Sequence, residues 1–85
     1  MNIVFTEEAK KDLKKLNPAI AKAIINVLRD IENLDDPRSR GKALVGNKKG
    51  FWRYRVQDYR IICRIKDDVM IIEVIKIGHR RNIYK

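Results

Sequence analysis

The sequence is poor in the residues that form covalent cross-links and metal sites. Its 85 residues include one cysteine and one histidine. A single cysteine excludes an intramolecular disulfide framework and is typical of a reducing cytosol, so we expect a cytoplasmic protein. A single histidine excludes a multi-histidine metal site, and the chain has no glycine-rich phosphate loop or Ser/His/Asp pattern. The sequence therefore predicts no metal ion and no cofactor.

Long apolar runs are also missing. The N-terminus is charged from Glu7 onward, and the apolar runs are far too short to span a membrane or form a signal peptide. The length predicts one small domain over residues 1–85 with one modest core. Cys63 lies among isoleucines, so we interpret it as a core residue rather than as a nucleophile.

Acidic residues are scarce in the second half of the chain. Residues 37–85 carry fourteen basic and four acidic side chains, a net charge of +10, whereas residues 1–36 carry six and seven, a net charge of −1. This asymmetry favours an anionic partner for the second half, either nucleic acid, a membrane surface or an acidic protein. The alternative is a basic surface that serves only solubility.

The first half predicts a short strand and a helical hairpin. Residues 2–5 are an apolar strand, and Thr6 is a candidate N-cap for a first helix. Asn17 and Pro18 are a second helix start, with an N-cap followed by proline at the first helical position. Both helices carry an apolar stripe of period 3.6, and Pro37 follows the end of the second helix.

The second half predicts a basic loop and an antiparallel meander. Residues 37–50 contain three glycines and five basic residues, and we expect residues 43–45 to anchor this loop to the core. Three strands follow at about 51–56, 59–66 and 69–77, joined by two-residue turns. The predicted fold is therefore α+β, in the order β-α-α-β-β-β, with a mostly antiparallel sheet and the helical hairpin packed on one face.

Alternation along these strands predicts one basic face. With two-residue turns, Arg55 lies opposite Arg60, and Arg53, Arg55, Arg60 and Arg64 share a face. The opposite, core face takes Trp52, Tyr54, Val56, Tyr59, Ile61, Cys63, Ile65, Met70, Ile72 and Val74. Ile77 is expected on the arginine side.

The same register predicts a cluster of guanidinium groups. It puts Ile77 beside Asp58, so His79, Arg80 and Arg81 would emerge at the hairpin tip beside Arg55 and Arg60. Arginine binds phosphate with two parallel hydrogen bonds, and the cluster therefore favours a nucleic-acid ligand. The alternative is a solvated, salt-bridged face in which Glu73, diagonal to Arg60 and Arg64, neutralises one arginine.

The chain resembles the RelE/ParE toxin superfamily of bacterial and archaeal toxin–antitoxin pairs. The matching segments are Trp-Arg-Tyr-Arg-Val at 52–56, Asp-Tyr-Arg at 58–60 and Ile-Gly-His-Arg-Arg-Asn-Ile-Tyr at 77–84. The helical hairpin and basic loop match in order and length, so the resemblance covers nearly the whole chain. The Tyr-Arg pair followed by Gly-x-Arg is fairly specific to the RelE branch.

The resemblance implies a toxin that enters the ribosomal A site and cuts mRNA there. The mRNA 2′-hydroxyl would attack the adjacent phosphate, leaving a cyclic phosphate and a 5′-hydroxyl. The functional positions of RelE correspond here to Arg53, Arg55, Arg60, Arg80 and Tyr84. Arg60 would stabilise the phosphate, Arg80 would stabilise it or assist the leaving oxygen, and Tyr84 would orient or stack a base.

The chain departs from RelE at two strand positions, where it has Arg53 and Arg55 in place of lysine. Because arginine barely deprotonates, it is a poor general base, and electrostatic stabilisation must then carry most of the catalysis unless another group takes the proton. His79 is the acid–base candidate, since histidine is the side chain best suited to proton transfer near neutral pH. The alternative for His79 is one more RNA contact.

Partners follow from the same resemblance. We expect a cognate RelB-like antitoxin, the ribosome and mRNA, and promoter DNA only through the antitoxin complex. Further residues expected to bind RNA are Arg38, Arg40, Lys42, Lys48, Lys49, Arg81 and Lys85. Two other functions stay open, a ParE-like toxin that inhibits DNA gyrase and a non-catalytic RNA-binding module.

Overall fold

The computed structural model describes residues 1–83, which form two helices and a five-stranded sheet. The elements are β1 (Asn2–Phe5), α1 (Glu7–Lys14), α2 (Pro18–Glu32), β2 (Lys42–Ala43), β3 (Trp52–Val56), β4 (Tyr59–Lys66) and β5 (Ile71–His79). In space the strands follow the order β1-β5-β4-β3-β2, with β1 parallel to β5 and the other pairs antiparallel. The α+β prediction is confirmed, and β2 is an additional short strand.

Both helices begin at the predicted caps. The Ala9 N–H donates to Thr6 Oγ1 at 3.1 Å, and the Ala19 N–H donates to Asn17 Oδ1 at 2.8 Å, so each side chain satisfies one free helix donor. Thr6 Oγ1 also donates to the Ile75 carbonyl oxygen of β5 at 3.0 Å, which ties the start of α1 to the sheet. Neither helix in residues 1–83 has the length and apolarity needed to cross a membrane.

The helices pack on one face of the sheet and enclose the core there. Ala9 of α1 and Ile24, Leu28 and Ile31 of α2 are at most 2% exposed. Their sheet partners are Tyr54, Val56, Ile61, Cys63, Ile72, Val74 and Ile77, with Trp52, Tyr59 and Ile65 partly buried around them. The predicted core face of β3 and β4 is therefore confirmed, including Cys63.

The hairpin between β3 and β4 has the predicted register. Its loop is the two residues Gln57 and Asp58, and Gln57 takes a left-handed backbone with φ of 54°. Val56 accordingly pairs with Tyr59, and Arg55 with Arg60. The face occupied by the arginines follows directly from this short loop.

The predicted turn between β4 and β5 is wrong. The loop spans residues 67–70, because Asp67–Val69 form a single helical turn and Met70 closes it in a left-handed conformation with φ of 57°. Lys66 therefore pairs with Ile71, two residues later than expected. Met70 is 58% exposed in this loop and does not belong to the core.

A bulge in β5 is a second departure from the predicted register. Cys63 pairs with Val74, but its neighbour Ile62 pairs with Lys76, so β5 contains one extra residue there. One extra residue reverses the face of everything that follows it. Ile77 thus pairs with Ile61 on the helix side, where it is 3% exposed, and lies neither beside Asp58 nor on the arginine side as predicted.

The long basic loop is held to the sheet by hydrogen bonds to its backbone rather than by the apolar side chains of residues 43–45. Lys42 and Ala43 pair with β3, and the Leu44 N–H donates to the Phe51 carbonyl oxygen at 3.0 Å. Val45 is 83% exposed, so the expected apolar anchor is wrong. Instead, the Tyr54 hydroxyl donates to the Pro37 carbonyl oxygen at 2.7 Å, and Trp52 Nε1 donates to the Arg40 carbonyl oxygen at 2.8 Å. Burial raises the pKa of Tyr54, so its hydroxyl stays protonated and able to donate.

Candidate functional site

The sheet face opposite the helices carries the arginines of β3 and β4, and we call it the arginine face. Arg55 and Arg60 lie directly opposite each other there, and Arg53 lies opposite Ile62. Like charges paired across two strands destabilise a sheet. The Arg55–Arg60 pair, called the arginine pair below, is therefore better explained by an anionic ligand than by a contribution to stability.

Arg55 of this pair and the neighbouring Arg53 have polar groups that protein atoms satisfy only in part. Arg55 is exposed, and its Nε donates to the Gln57 carbonyl oxygen at 3.4 Å, a long hydrogen bond. Arg53 is half-buried, and its Nε is buried without a hydrogen-bond partner in the described part of the chain. A buried donor without a partner costs free energy, which a bound phosphate oxygen would recover.

A basic pocket extends from the arginine pair toward β2. Its volume is about 220 Å³, and its lining residues are Arg40, Gly41, Lys42, Arg53, Tyr54 and Arg55. Lys42 lies directly opposite Arg53 across β2 and β3, a second pairing of like charges. The fold thus joins two predicted catalytic residues, Arg53 and Arg55, to two predicted RNA contacts, Arg40 and Lys42.

Gly41 permits the loop to approach β3 closely enough to form this pocket. Its φ is +81°, and a Cβ at this position would collide with the Arg53 carbonyl oxygen and lie 2.6 Å from Trp52 Nε1. Glycine is the residue that tolerates both conditions. Together with the Trp52 hydrogen bond to Arg40, it fixes the neighbouring basic residues against the sheet.

Arg38 lies outside the basic pocket and forms an ion pair with Asp67. Its guanidinium donates two hydrogen bonds, of 2.9 and 2.8 Å, to the carboxylate of Asp67, and these hydrogen bonds lower the pKa of Asp67. Arg38 and Lys49 help to line a separate cavity of about 610 Å³ near Trp52. Their predicted role in RNA binding stays a prediction, and the structure does not place them in the basic pocket.

Glu73 lies further along the sheet than predicted. It is directly opposite Arg64, rather than diagonal to both Arg60 and Arg64, because the loop before β5 is longer than expected. Its carboxylate is 3.5 Å from Lys66 Nζ. The Arg64 guanidinium lies 4.9 Å from the centroid of the Phe51 ring, a cation–π geometry.

Arg80 contacts Asp58, which lies in the loop between β3 and β4. The Arg80 N–H donates to the Asp58 carbonyl oxygen at 2.8 Å, and Arg80 Nε lies 3.8 Å from Asp58 Oδ1. Both side chains are at least half exposed, so this ion pair is weak and open to competition by a stronger anion. Arg81 is exposed next to it.

His79 lies on the other side of the sheet from the arginine pair. It is directly opposite Tyr59, and the two rings meet edge to face with centroids 5.5 Å apart. Tyr59 packs against the core, so His79 shares the helix side, and the expectation that it joins Arg55 and Arg60 is wrong because the bulge in β5 reverses its face. His79 Nδ1 accepts the Arg81 N–H at 3.2 Å, so the neutral ring carries its proton on Nε2.

Apolar residues form a patch on the arginine face, as the alternation of Ile62 and Ile75 with charged residues predicts, and Ile83 is the member of this patch that sequence reasoning missed. Ile62 and Ile83 are 6% and 2% exposed there, and a small cavity beside them is lined by Lys48, Phe51, Ile62, Ile75, Lys76 and Ile83. A glycine within a strand often marks a close approach, so Gly78 was the available signal. The predicted site residues Tyr84 and Lys85 lie outside the described residues.

Comparison with known proteins agrees with this fold. The chain is 32% identical to Toxin RelG of Mycobacterium tuberculosis over 82 residues, which cover 95% of this chain and 92% of that protein. It superposes with a TM-score of 0.83 on the toxin–antitoxin complex RelBE2 of M. tuberculosis, at 29% identity and covering 95% of this chain and 92% of that one. The isolated E. coli RelE toxin has the same fold, with a TM-score of 0.74, 16% identity and coverage of 92% and 82%.

A family model matches almost the entire chain. Residues 3–84 match the model described as the ParE toxin of the type II toxin–antitoxin system parDE. This range includes both helices and nearly the whole sheet, and the relative at 32% identity covers 95% of the chain. The chain therefore belongs to the RelE/ParE superfamily and is a toxin of a type II toxin–antitoxin system.

Proposed function

We propose that this toxin is a ribosome-dependent endoribonuclease that cuts mRNA in the ribosomal A site. The observation that carries the proposal is the arginine pair, two arginines directly opposite each other on neighbouring strands of one sheet face. The basic pocket continues from this pair, so neighbouring phosphates of one RNA strand could be bound together. Such a cluster suits a polyanion better than an apolar protein surface.

In the proposed reaction, the 2′-oxygen of one nucleotide attacks the adjacent phosphorus, and the bond from phosphorus to the 5′-oxygen breaks. The products are a cyclic phosphate and a 5′-hydroxyl, so one proton leaves the 2′-hydroxyl and one reaches the 5′-oxygen. The phosphate gains negative charge in the transition state. Arg55 and Arg60 would stabilise that charge because guanidinium groups preorganised on strands need no rearrangement.

The residues that stabilise the charge on the phosphate are not the groups that move the protons. Arginine does not deprotonate in proteins, so neither residue of the arginine pair serves as the base. His79 holds its Nδ1 against the Arg81 N–H and would offer a donor, Nε2–H, to a ligand that reached the helix side of the tip. We therefore propose that electrostatic stabilisation carries most of the rate, with the proton of the 2′-hydroxyl passing to solvent or ribosomal groups.

Binding to the ribosome would use the remaining basic residues. Arg40 and Lys42 extend the basic pocket, while Lys48, Lys49 and Arg81 are exposed on neighbouring loops. Electrostatic attraction of these residues to RNA is long-ranged and sequence-independent. In this proposal the toxin acts in the cytoplasm, where translating ribosomes are found.

A RelB-like antitoxin is the proposed inhibitor. Similar toxins have been solved as RelBE2 and RelBE toxin–antitoxin complexes, from M. tuberculosis and E. coli. An acidic antitoxin segment would associate rapidly with the arginine face because opposite charges steer the encounter. Contact with promoter DNA would come through the antitoxin in that complex.

The second candidate is a toxin that inhibits DNA gyrase. The observation that favours it is the family model, whose description is the ParE toxin of parDE. Gyrase inhibition requires no phosphate cluster, so the arginine pair would have no assigned role in it. A non-catalytic RNA-binding module would retain the basic pocket but leave RNA uncut.

Primer extension on mRNA separates these functions. The toxin is expressed briefly in cells, and a reporter mRNA is compared with the same mRNA carrying a mutated start codon. We expect cuts within codons that vanish when translation of the reporter is blocked. Cuts that persist on untranslated mRNA would indicate a free ribonuclease, growth arrest without cuts would indicate gyrase, and no arrest would indicate a binding module.

A further inference from the structure

Ile83 is almost completely buried although it closes the described part of the chain. It is 2% exposed and stands apart from the core cluster between helices and sheet. It lies over Gly78, where an added Cβ would be 2.9 Å from Ile83 Cδ1 and 3.7 Å from Ile83 Cβ. Ile83 therefore fills the place on the arginine face that a side chain at position 78 would occupy.

Backbone hydrogen bonds close the chain between these two residues into a turn. The N–H groups of Asn82 and Ile83 both donate to the His79 carbonyl oxygen, at 2.9 and 3.0 Å. The Arg81 N–H donates to His79 Nδ1, and the Arg80 N–H donates to the Asp58 carbonyl oxygen. These hydrogen bonds are at the surface, where a turn keeps one conformation only if packing supports it.

Gly78 places this anchor next to the arginine pair. It lies directly opposite Arg60 in the β4–β5 ladder, so Ile83 stands on the same face at the neighbouring position. Arg80 and Arg81 lie in the turn between Gly78 and Ile83. The side chain that is buried over Gly78 is thus the apolar end of the segment that bears two candidate RNA-binding arginines.

We propose that Ile83 is a positioning residue, which by packing over Gly78 holds the turn of residues 79–83 and keeps Arg80 against Asp58, beside the arginine pair. This inference rests on the proposed RNA cleavage and deepens it. Displacing a catalytic group by about 1 Å can lower a rate roughly a hundredfold, so an anchor at the end of the turn controls the rate without touching the substrate.

Gly78→Val tests the proposal because the valine side chain would occupy the space that Ile83 fills over residue 78. Valine suits a strand, so the sheet should be retained while Ile83 is displaced, and the melting temperature should fall only by what the lost burial of Ile83 accounts for. We expect amide hydrogen exchange at Asn82 and Ile83 to become fast, and cleavage on programmed ribosomes to fall by roughly ten- to a hundredfold in kcat. Ile83→Ala should give the same two changes, and Val69→Ala, an exposed aliphatic truncation in the loop before β5, should give neither.

A double variant tests whether a shorter side chain at position 83 makes room for a Cβ at position 78. Ile83 Cδ1 is the atom nearest to a new Cβ at position 78, and valine lacks it. Gly78→Ala should therefore lower kcat more in the wild-type background than in an Ile83→Val background, in which the double variant recovers both exchange protection and kcat. A general loss of stability would show no such recovery.

The outcomes test separately whether Ile83 holds the turn and whether the toxin cuts RNA. If Gly78→Val leaves Asn82 and Ile83 protected from exchange, Ile83 does not hold the turn by packing over Gly78, and the proposal is overturned whatever happens to cleavage. If protection is lost but kcat is unchanged, the turn is anchored without positioning anything, and the proposal is also overturned. If the wild-type toxin cuts no RNA on ribosomes, the proposed function fails, and the exchange measurements still decide whether Ile83 holds the turn.

Discussion

At the scale of single residues, the arginine pair is the least expected feature of the sheet. Arg55 and Arg60 are directly opposite, and the nearby acid Glu73 is instead opposite Arg64 and within 3.5 Å of Lys66. A sheet selected only for stability would not place two guanidinium groups face to face. Their arrangement is therefore better explained by the proposed phosphate site than by the stability of the sheet.

Substituting Arg60 should remove toxicity without unfolding the protein. Arg60→Ala removes one guanidinium group of the arginine pair, so we expect growth arrest to disappear and cleavage to fall by roughly 10²- to 10³-fold. Circular dichroism would verify the fold, and Arg29→Ala, on the exposed side of α2, is the matched control. A fully toxic Arg60→Ala variant would show that the phosphate is bound elsewhere.

Cys63 should be chemically inert in the folded protein. It is fully buried in the core, and burial raises the pKa of its thiol to about 12, so the reactive thiolate is scarce at neutral pH. We expect no labelling by an alkylating reagent at pH 7 until denaturant is added. Rapid labelling of the native protein would mean that β4 opens far more often than its burial indicates.

At the scale of elements, α1 is coupled to β5 by one side chain. Thr6 Oγ1 accepts the Ala9 N–H and donates to the Ile75 carbonyl oxygen, next to the bulge. This hydroxyl therefore caps the helix and also satisfies an acceptor where the strand pairing is irregular. The cap and the bulge act as one structural unit.

Thr6→Ala should destabilise the fold by roughly 1–2 kcal/mol, because it removes the cap and leaves the β5 acceptor without its donor. Thr6→Ser keeps the hydroxyl and is the matched control. Urea unfolding of both variants measures the difference. Equal losses in the two would assign the effect to the methyl group and not to the hydrogen bonds.

The apolar stripe of α2 is the main contribution of the helices to the core. Leu28 is 2% exposed in the middle of this stripe. Leu28→Ala leaves a cavity and should cost roughly 2–5 kcal/mol of unfolding free energy. Val69→Ala, at a position that is 54% exposed, should be close to neutral in the same urea titration. A neutral Leu28→Ala would mean that the helix repacks to fill the space.

At the scale of the whole molecule, charge is divided between the two halves of the chain. Residues 37–85 have a net charge of +10, and residues 1–36 have −1. The two helices carry five acidic and five basic residues, so the excess of positive charge comes from the strands and loops that follow α2. The molecule therefore presents a positive face that suits an anionic partner, such as the RNA or the acidic antitoxin segment proposed above.

Binding of a non-cleavable RNA should weaken steeply with salt. Each phosphate that the toxin neutralises contributes about −0.7 to the slope of log K against log salt concentration for a single strand. Arg55→Ala should therefore make the slope less negative by about 0.7, and Lys22→Ala, on an exposed part of α2, should leave it unchanged. Fluorescence anisotropy over a salt series measures both, and identical slopes in all three proteins would argue against a phosphate at Arg55.

Much of this fold could be predicted from the sequence because it depends on local interactions. Thr6 and Asn17 cap their helices through neighbouring N–H groups, and the two-residue loop after Val56 sets the β3–β4 register within a few residues. The arginine pair follows from that loop and from the period of a strand. These features require no knowledge of distant contacts.

Only the tertiary structure decided the register of β5 and everything that depends on it. The longer loop ending at Met70 and the bulge near Ile75 each shift the strand, and a bulge arises from packing against α1 and β4 rather than from a residue pattern. His79 consequently faces the helix side, and Ile83 returns over Gly78 onto the arginine face. The sequence by itself determined the helices, the first hairpin and its paired arginines, because those contacts are short-range, whereas the side of the sheet on which the C-terminal residues lie is set by contacts between strands that are distant in the chain.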